Sequence, residues 1–202
     1  MDWRGAIVII GLMFSAACPS EAQDLLPRRD VFVDPNAPRG GDGERESPFS
    51  SIQDMVDRFN AEWGQVFLEP GVYEEDVVIN RSRLWLMPAR QYDVVLRGSI
   101  TVQQPGTIIR GMNIISDGPG VVIEENAKNC RIQQNRVQAI GEGHAAIEVA
   151  APGCEISDTV VDLRGGEGAG RTGISVRVGE GVTGTRLDFN QIAGCETGIA
   201  FI

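Results

Sequence analysis

The sequence predicts an all-β fold in which the chain winds as a parallel β-solenoid of about six coils, behind one N-terminal amphipathic helix and with an uncapped last coil. Three observations carry this. From Gly64 onward no helical period survives, and short β-branched runs alternate with Gly, Asn, Asp or Pro. Glycine makes up 25 of 202 residues while aromatics are 6%, which suits tight turns and closely stacked backbone. Four segments, beginning at Gly106, Asn129, Gly153 and Val182, then repeat one apolar pattern.

Taken in order, residues 1–22 read as an export signal. Arg4 supplies the positive end, Ala6 to Ala17 the apolar stretch, and Ser20-Glu21-Ala22 a small-x-small cleavage site before Gln23. The apolar stretch is too short to span a bilayer core, which needs about 20 residues. Ser15-Ala16-Ala17-Cys18 offers the alternative of lipid attachment at Cys18. Either route leads to the periplasm or the extracellular space, an oxidising compartment.

Residues 23–63 form the second region. It holds a short strand at Val31-Phe32-Val33, turn residues at Asp34-Pro35-Asn36 and Gly40-Gly41-Asp42-Gly43, and then a helix from about Ser50 to Glu62. Phe49, Ile52, Met55, Val56, Phe59 and Trp63 recur at helical spacing, giving a face that must lie on something. Residues 64–202 supply it. Early runs are Val66-Phe67-Leu68, Val77-Val78-Ile79, Leu84-Trp85-Leu86, Val94-Val95-Leu96 and Ile100-Thr101-Val102.

In the four later segments Ile109, Ile132, Ile156 and Leu187 share one column, and Ile114, Val137, Val161 and Ile192 the next. After a loop of variable length come Val121, Ile147, Ile174 and Ile199, then Ile123, Val149, Val176 and Phe201. Variation confined to loops is the mark of coils stacked in register, where like side chains pile up at ~4.8 Å spacing. Gly120, Ala146, Gly173 and Gly198 precede the third column, where a larger side chain would crowd the next coil. Asn135 and Asn190 fall in a column with Met112 and Thr159, and an amide there serves the stack by hydrogen bonding along it.

These phrases carry a resemblance. Ser47-Pro48-Phe49-Ser50-Ser51-Ile52-Gln53, then Leu68-Glu69-Pro70-Gly71-Val72-Tyr73-Glu74-Glu75, then the I-x-x-N-x-V and T-G-I-x-V repeats resemble the pectin-lyase-like superfamily. The resemblance covers about residues 30 to 202 and implies a single-stranded right-handed parallel β-helix. It does not imply one activity, since this fold hosts lyases, esterases, hydrolases, epimerases and non-enzymes. The paired Asp and Q-D-T of its esterases, the clustered Asp and G-H-G of its hydrolases, and the Arg and calcium-binding Asp phrases of its lyases find no match. The nearest string is Gly141-Glu142-Gly143-His144. Their absence leans the reading away from catalysis.

The register places Asp117, Glu142 with His144, Glu167 with Arg171, and Glu196 in loops at one corner of successive coils. A carboxylate, an imidazole and a guanidinium on a rigid scaffold suit sugar binding or acid/base chemistry. The competing reading is a solvated corner whose charges keep the surface soluble.

Three further signals are weighed. Gly168-Ala169-Gly170-Arg171-Thr172-Gly173 matches a dinucleotide fingerprint, but a strand follows rather than a helix, so it is set aside. Cys130 and Cys154 share a column, which fits stacked buried thiols or a disulfide. Asn80-Arg81-Ser82 matches a glycosylation sequon.

Composition bounds the partners. A net charge of −10, with Lys128 the one lysine among 18 basic residues, disfavours a phosphate backbone and so a nucleic acid. One histidine and four scattered cysteines without C-x-x-C argue against a zinc site, and no cofactor is expected. Two functions follow. One is an exported polysaccharide-interacting module of the cell envelope, using the loop corner or the flat strand face, with catalytic turnover as its stronger form. The other is an envelope scaffold that self-associates or docks a partner at the open last coil, around Phe201. The acidity favours a neutral glycan, or an acidic one bridged by calcium.

Overall fold

The computed structural model describes residues 29–58, 64–141, 144–164, 171–177 and 184–202. The export signal, Cys18, Phe59, Trp63, Glu142 and Glu167 lie outside the described residues. Strand β1 (Arg29–Val33) and helix α1 (Ile52–Arg58) precede six coils of three strands each. Coil one is β2 (Gly64–Leu68), β3 (Gly71–Glu74) and β4 (Val77–Ile79); coil two is β5 (Leu84–Pro88), β6 (Val94–Arg97) and β7 (Ile100–Val102). Coil three is β8 (Ile108–Arg110), β9 (Asn113–Ser116) and β10 (Val121–Ile123); coil four is β11 (Arg131–Gln133), β12 (Arg136–Ala139) and β13 (Ala145–Val149). Coil five is β14 (Glu155–Ser157), β15 (Val160–Asp162) and β16 (Thr172–Val176); coil six is β17 (Arg186–Asp188), β18 (Gln191–Ala193) and β19 (Thr197–Phe201).

First strands stack on first strands, second on second and third on third, making three parallel sheets. Sheet 1 runs β1-β2-β5-β8-β11-β14-β17, sheet 2 β3-β6-β9-β12-β15-β18 and sheet 3 β4-β7-β10-β13-β16-β19. The chain is a right-handed parallel β-helix. All four expected columns are realised: Ile109 pairs Ile132, Ile156 and Leu187 in turn, and Ile114 leads through Val137 and Val161 to Ile192. Val121 through Ile147 and Ile174 to Ile199, with Ile123 through Val149 and Val176 to Phe201, complete the set. Most of these side chains are fully buried, so the core is a continuous apolar rod. In the last coil Ile199, Phe201 and Ile202 are exposed.

The corners explain the small and polar columns. At Gly120 a Cβ would stand 2.5 Å from Val137 Cγ1, and at Gly173 2.4 Å from Ile192 Cγ2, so the close approach is to the adjacent coil's side chains. Asn135 Oδ1 accepts the Met112 N–H (3.0 Å) while its Nδ2 donates to the Ile109 carbonyl (2.9 Å). Two rungs further, Asn190 repeats this with the Thr159 N–H and the Ile156 carbonyl. The amides thus satisfy the buried Met112 and Thr159 N–H groups at the corner and tie them to carbonyls of the preceding strand in the same coil.

Two corner columns adopt left-handed backbone. Gly111, Gln134, Asp158 and Phe189 do so between sheets 1 and 2, and Arg83, Gly106, Asn129, Gly153 and Gly184 between sheets 3 and 1. Repeating the same turn from coil to coil keeps the strands in register, even where the residue is not one that favours it.

The N-terminal end is closed by three pieces. β1 adds a strand to sheet 1, with Val31 and Val33 paired to Val66 and Leu68 and extending the inner columns. Tyr73 is buried with its hydroxyl 3.0 Å from the carbonyls of Val33 and Glu69, to which it donates. Burial, with Asp34, Glu69 and Glu75 nearby, holds this phenol above the ordinary range. Helix α1 covers the free edge of β4, where Gln53 Oε1 accepts the Val78 N–H (2.7 Å). It begins at Ile52 rather than Ser50 because Ser51 is its cap, its hydroxyl accepting the Asp54 N–H at 3.1 Å.

Candidate functional site

The loops at the corner between sheets 2 and 3 vary in length. They are shortest at Glu75-Asp76 and Gly98-Ser99 and longest between Asp162 and Thr172. This is the corner the sequence singled out, and the described candidates lie on it with different roles. Asp117 opens into a depression of about 780 Å3 with Glu74, Asp76, Arg97, Ser99 and Ile140. Asp76 there accepts hydrogen bonds from the Ser99 amide and hydroxyl, each at 2.8 Å.

Arg171 is turned inward, 4% exposed, and its Nη2 donates to the Ala139 carbonyl at 2.9 Å. Its own carbonyl accepts from the Glu196 and Thr197 amides. It therefore fastens coils four to six together rather than facing a ligand. Glu196 is exposed at the same corner. Beside it, Asp162 accepts from Arg164 Nη2 (2.6 Å), Nε (2.9 Å) and N (3.0 Å). Those hydrogen bonds hold its carboxyl down to about 2.

His144 belongs to another feature, a groove of about 530 Å3 along the outer face of sheet 3. None of its lining residues is shared with the Asp117 depression. Strand alternation makes the floor. Since Ile147 and Val149 point inward, Glu148 points out, and the register stacks Val122, Glu148, Ser175 and Ala200 in one outward column. His144, Ala145 and Thr172 line one side. The other side carries Glu124, Glu125, Asn126 and Arg177, and Arg177 reaches over coil four to pair with Glu125 of coil three. Gln103 Nε2 donates to Glu124 at 3.3 Å.

The side chains of His144 and Glu148 make no hydrogen bond or ion pair with any described residue. They are four positions apart along extended chain, roughly 13 Å at ~3.3 Å per residue, so they do not form a dyad on one atom. What the groove offers is a row of polar contacts at coil spacing.

Glu148, Glu125 and Arg177 are missing from the sequence-derived list, although the strand alternation in Ile147-Glu148-Val149 marks Glu148 as outward. Cys130 and Cys154 are buried free thiols. The hydrogen bond with the Cys154 thiol, together with burial, pushes the Cys130 thiol up. Among the described residues no group of three or more His, Cys, Asp or Glu is arranged to hold a metal ion, and no helix is long and apolar enough to cross a membrane.

No protein-family model matches the chain, and no curated protein sequence matches it. Among solved structures, a rhamnogalacturonan lyase is similar, with a TM-score of 0.51 and 16% identity over 86% of this chain. The likeness is one of fold. The match takes in 56% of that enzyme's length.

Proposed function

We propose that this protein binds carbohydrate, laying an extended glycan across the coils in the groove on sheet 3. The observation that carries the reading is the floor of that groove, where Val122, Glu148, Ser175 and Ala200 present one outward side chain per coil. Coils advance by ~4.8 Å, close to the advance of one sugar unit in an extended chain, so equivalent floor positions meet successive units. Glu148 and His144 are free to accept or donate to hydroxyls, and Thr172 and Ser175 add hydroxyls of their own.

Among the described residues the groove lining contains no Phe, Tyr or Trp, so recognition rests on hydrogen bonding along the chain more than on stacking. Fold similarity to a lyase named for rhamnogalacturonan supports a carbohydrate-related role by analogy. The proposal is of a binding module, because the separation of His144 from Glu148 does not favour concerted acid/base chemistry. Export through residues 1–22, to the envelope or extracellular space, belongs to the same reading.

The test is retention on a polysaccharide array, with and without calcium. At least one glycan class is expected to hold the protein. Ser175→Trp, which fills the groove from its floor without touching the core, is expected to abolish retention. Equal retention of that variant, or no retention of the native protein under either condition, contradicts the proposal.

A further inference from the structure

The groove has a charge character that narrows its ligand. It is lined by the carboxylates of Glu124, Glu125 and Glu148 against one guanidinium, Arg177, and that guanidinium is already paired with Glu125. Glu124 is held at the rim by Gln103. Glu148 differs from both. It is half-buried on the floor, between the His144 side and the Arg177 side, and no described residue donates to it or pairs with it. A half-buried carboxylate in a trough, without a partner among the described side chains, keeps its attraction for a cation or a strong donor arriving along the groove. The surrounding chain, at −10 overall, adds to the repulsion of any anionic polymer.

We infer that the groove selects a glycan bearing free amino groups, with a sugar ammonium seated on Glu148, over its neutral or acidic counterparts. This rests on the groove being the glycan site. The ammonium supplies donors to the one floor carboxylate that lacks them, while the neighbouring units use Ser175 and Thr172. A uronate polymer would instead set its carboxylates against those of Glu148 and Glu124.

Matched oligomers test the inference, because β-1,4-glucosamine oligomers and their fully N-acetylated forms differ only at the nitrogen, an ammonium in one and a neutral acetamide in the other, and the Glu148 variant below separates the charge from the added acetyl group. Affinities are measured by calorimetry at a pH where the amine carries its proton, with an oligogalacturonate of equal length as the anionic comparison. The deacetylated oligomer is expected to bind about tenfold tighter than the acetylated one, the effect of one charge-assisted hydrogen bond in a partly exposed site. Glu148→Gln is expected to bring that ratio close to one. Asp158→Asn removes the same charge from the exposed corner between sheets 1 and 2, and is expected to leave the ratio intact.

Equal affinity for the two glucosamine oligomers, or tighter binding of the galacturonate, overturns the charge inference and leaves the groove reading standing. An Asp158→Asn effect as large as that of Glu148→Gln overturns it as well, since the attraction is then to net charge. Failure of all three oligomers overturns the inference, and the Ser175→Trp array result decides separately whether the groove binds any glycan.

Discussion

The carboxylate of Glu75, just past the end of β3, accepts the Ser51 hydroxyl at 2.7 Å, and it also takes the Ile52 and Gln53 amides at the start of α1. One side chain of the first coil therefore satisfies two of the orphan donors of the helix that covers it. The phrase Tyr73-Glu74-Glu75 has a structural meaning at both ends: Tyr73 ties coil one to β1, and Glu75 ties it to α1.

Glu75→Ala is expected to lower stability by about 1–2 kcal/mol, the range for losing a helix cap made by a charged acceptor. Urea unfolding measures it. An unchanged midpoint with an unchanged slope would mean that α1 docks through its apolar face alone.

Asn135→Ala tests the corner ladder. It strands the Met112 N–H in a fully buried corner and removes the amide bond to the Ile109 carbonyl, at a cost of about 1–3 kcal/mol. The same unfolding experiment reads the loss. A cost near that of an exposed substitution would show that water reaches the corner.

Asp162 gives a pH signature. Its carboxyl lies at about 2 in the folded protein and at about 3.9 in an unfolded chain. A depressed folded value means the stabilisation is fully present above the unfolded value and is lost as pH falls towards 2. The stability difference between native protein and Asp162→Asn is therefore expected to be constant from neutral pH to about 5 and to shrink below about 4. A difference independent of pH across that window would contradict the pairing with Arg164.

Cys130 and Cys154, buried and with Cys130 pushed towards the protonated thiol, are expected to resist alkylation in the native state while the partly exposed Cys195 reacts. Peptide mass spectrometry after native labelling reports all three. A Cys130–Cys154 cross-linked peptide in an unreduced digest would contradict the free-thiol arrangement.

The parts of the fold legible in the sequence are those that in-register stacking repeats. Each inner column is a ladder of like residues, so Ile109, Ile132, Ile156 and Leu187 announce themselves without any knowledge of the corners. The left-handed corners were not legible, because Arg83, Gln134 and Phe189 are not residues that favour that backbone and are held there by the coils on either side. The coil register in the sequence puts Asp117, Arg171 and Glu196 at one corner, but it does not sort their roles. Arg171 reads as a surface cation in one dimension, whereas in the structure it is turned inward to the Ala139 carbonyl. The groove was harder still, since Glu125 and Arg177 meet across 52 residues of sequence. Its floor depends on which outward positions of sheet 3 share a column.

The central claim is that ligand lies on sheet 3 along the column of Val122, Glu148 and Ser175. Amide chemical-shift mapping during titration with an oligosaccharide retained on the array tests it most directly. The account predicts perturbed amides in β10, β13 and β16 and at His144 and Arg177, with those around Ser99 and Asp117 unmoved. Perturbations centred on the Asp117 depression, or spread along sheets 1 and 2 with sheet 3 silent, would contradict it.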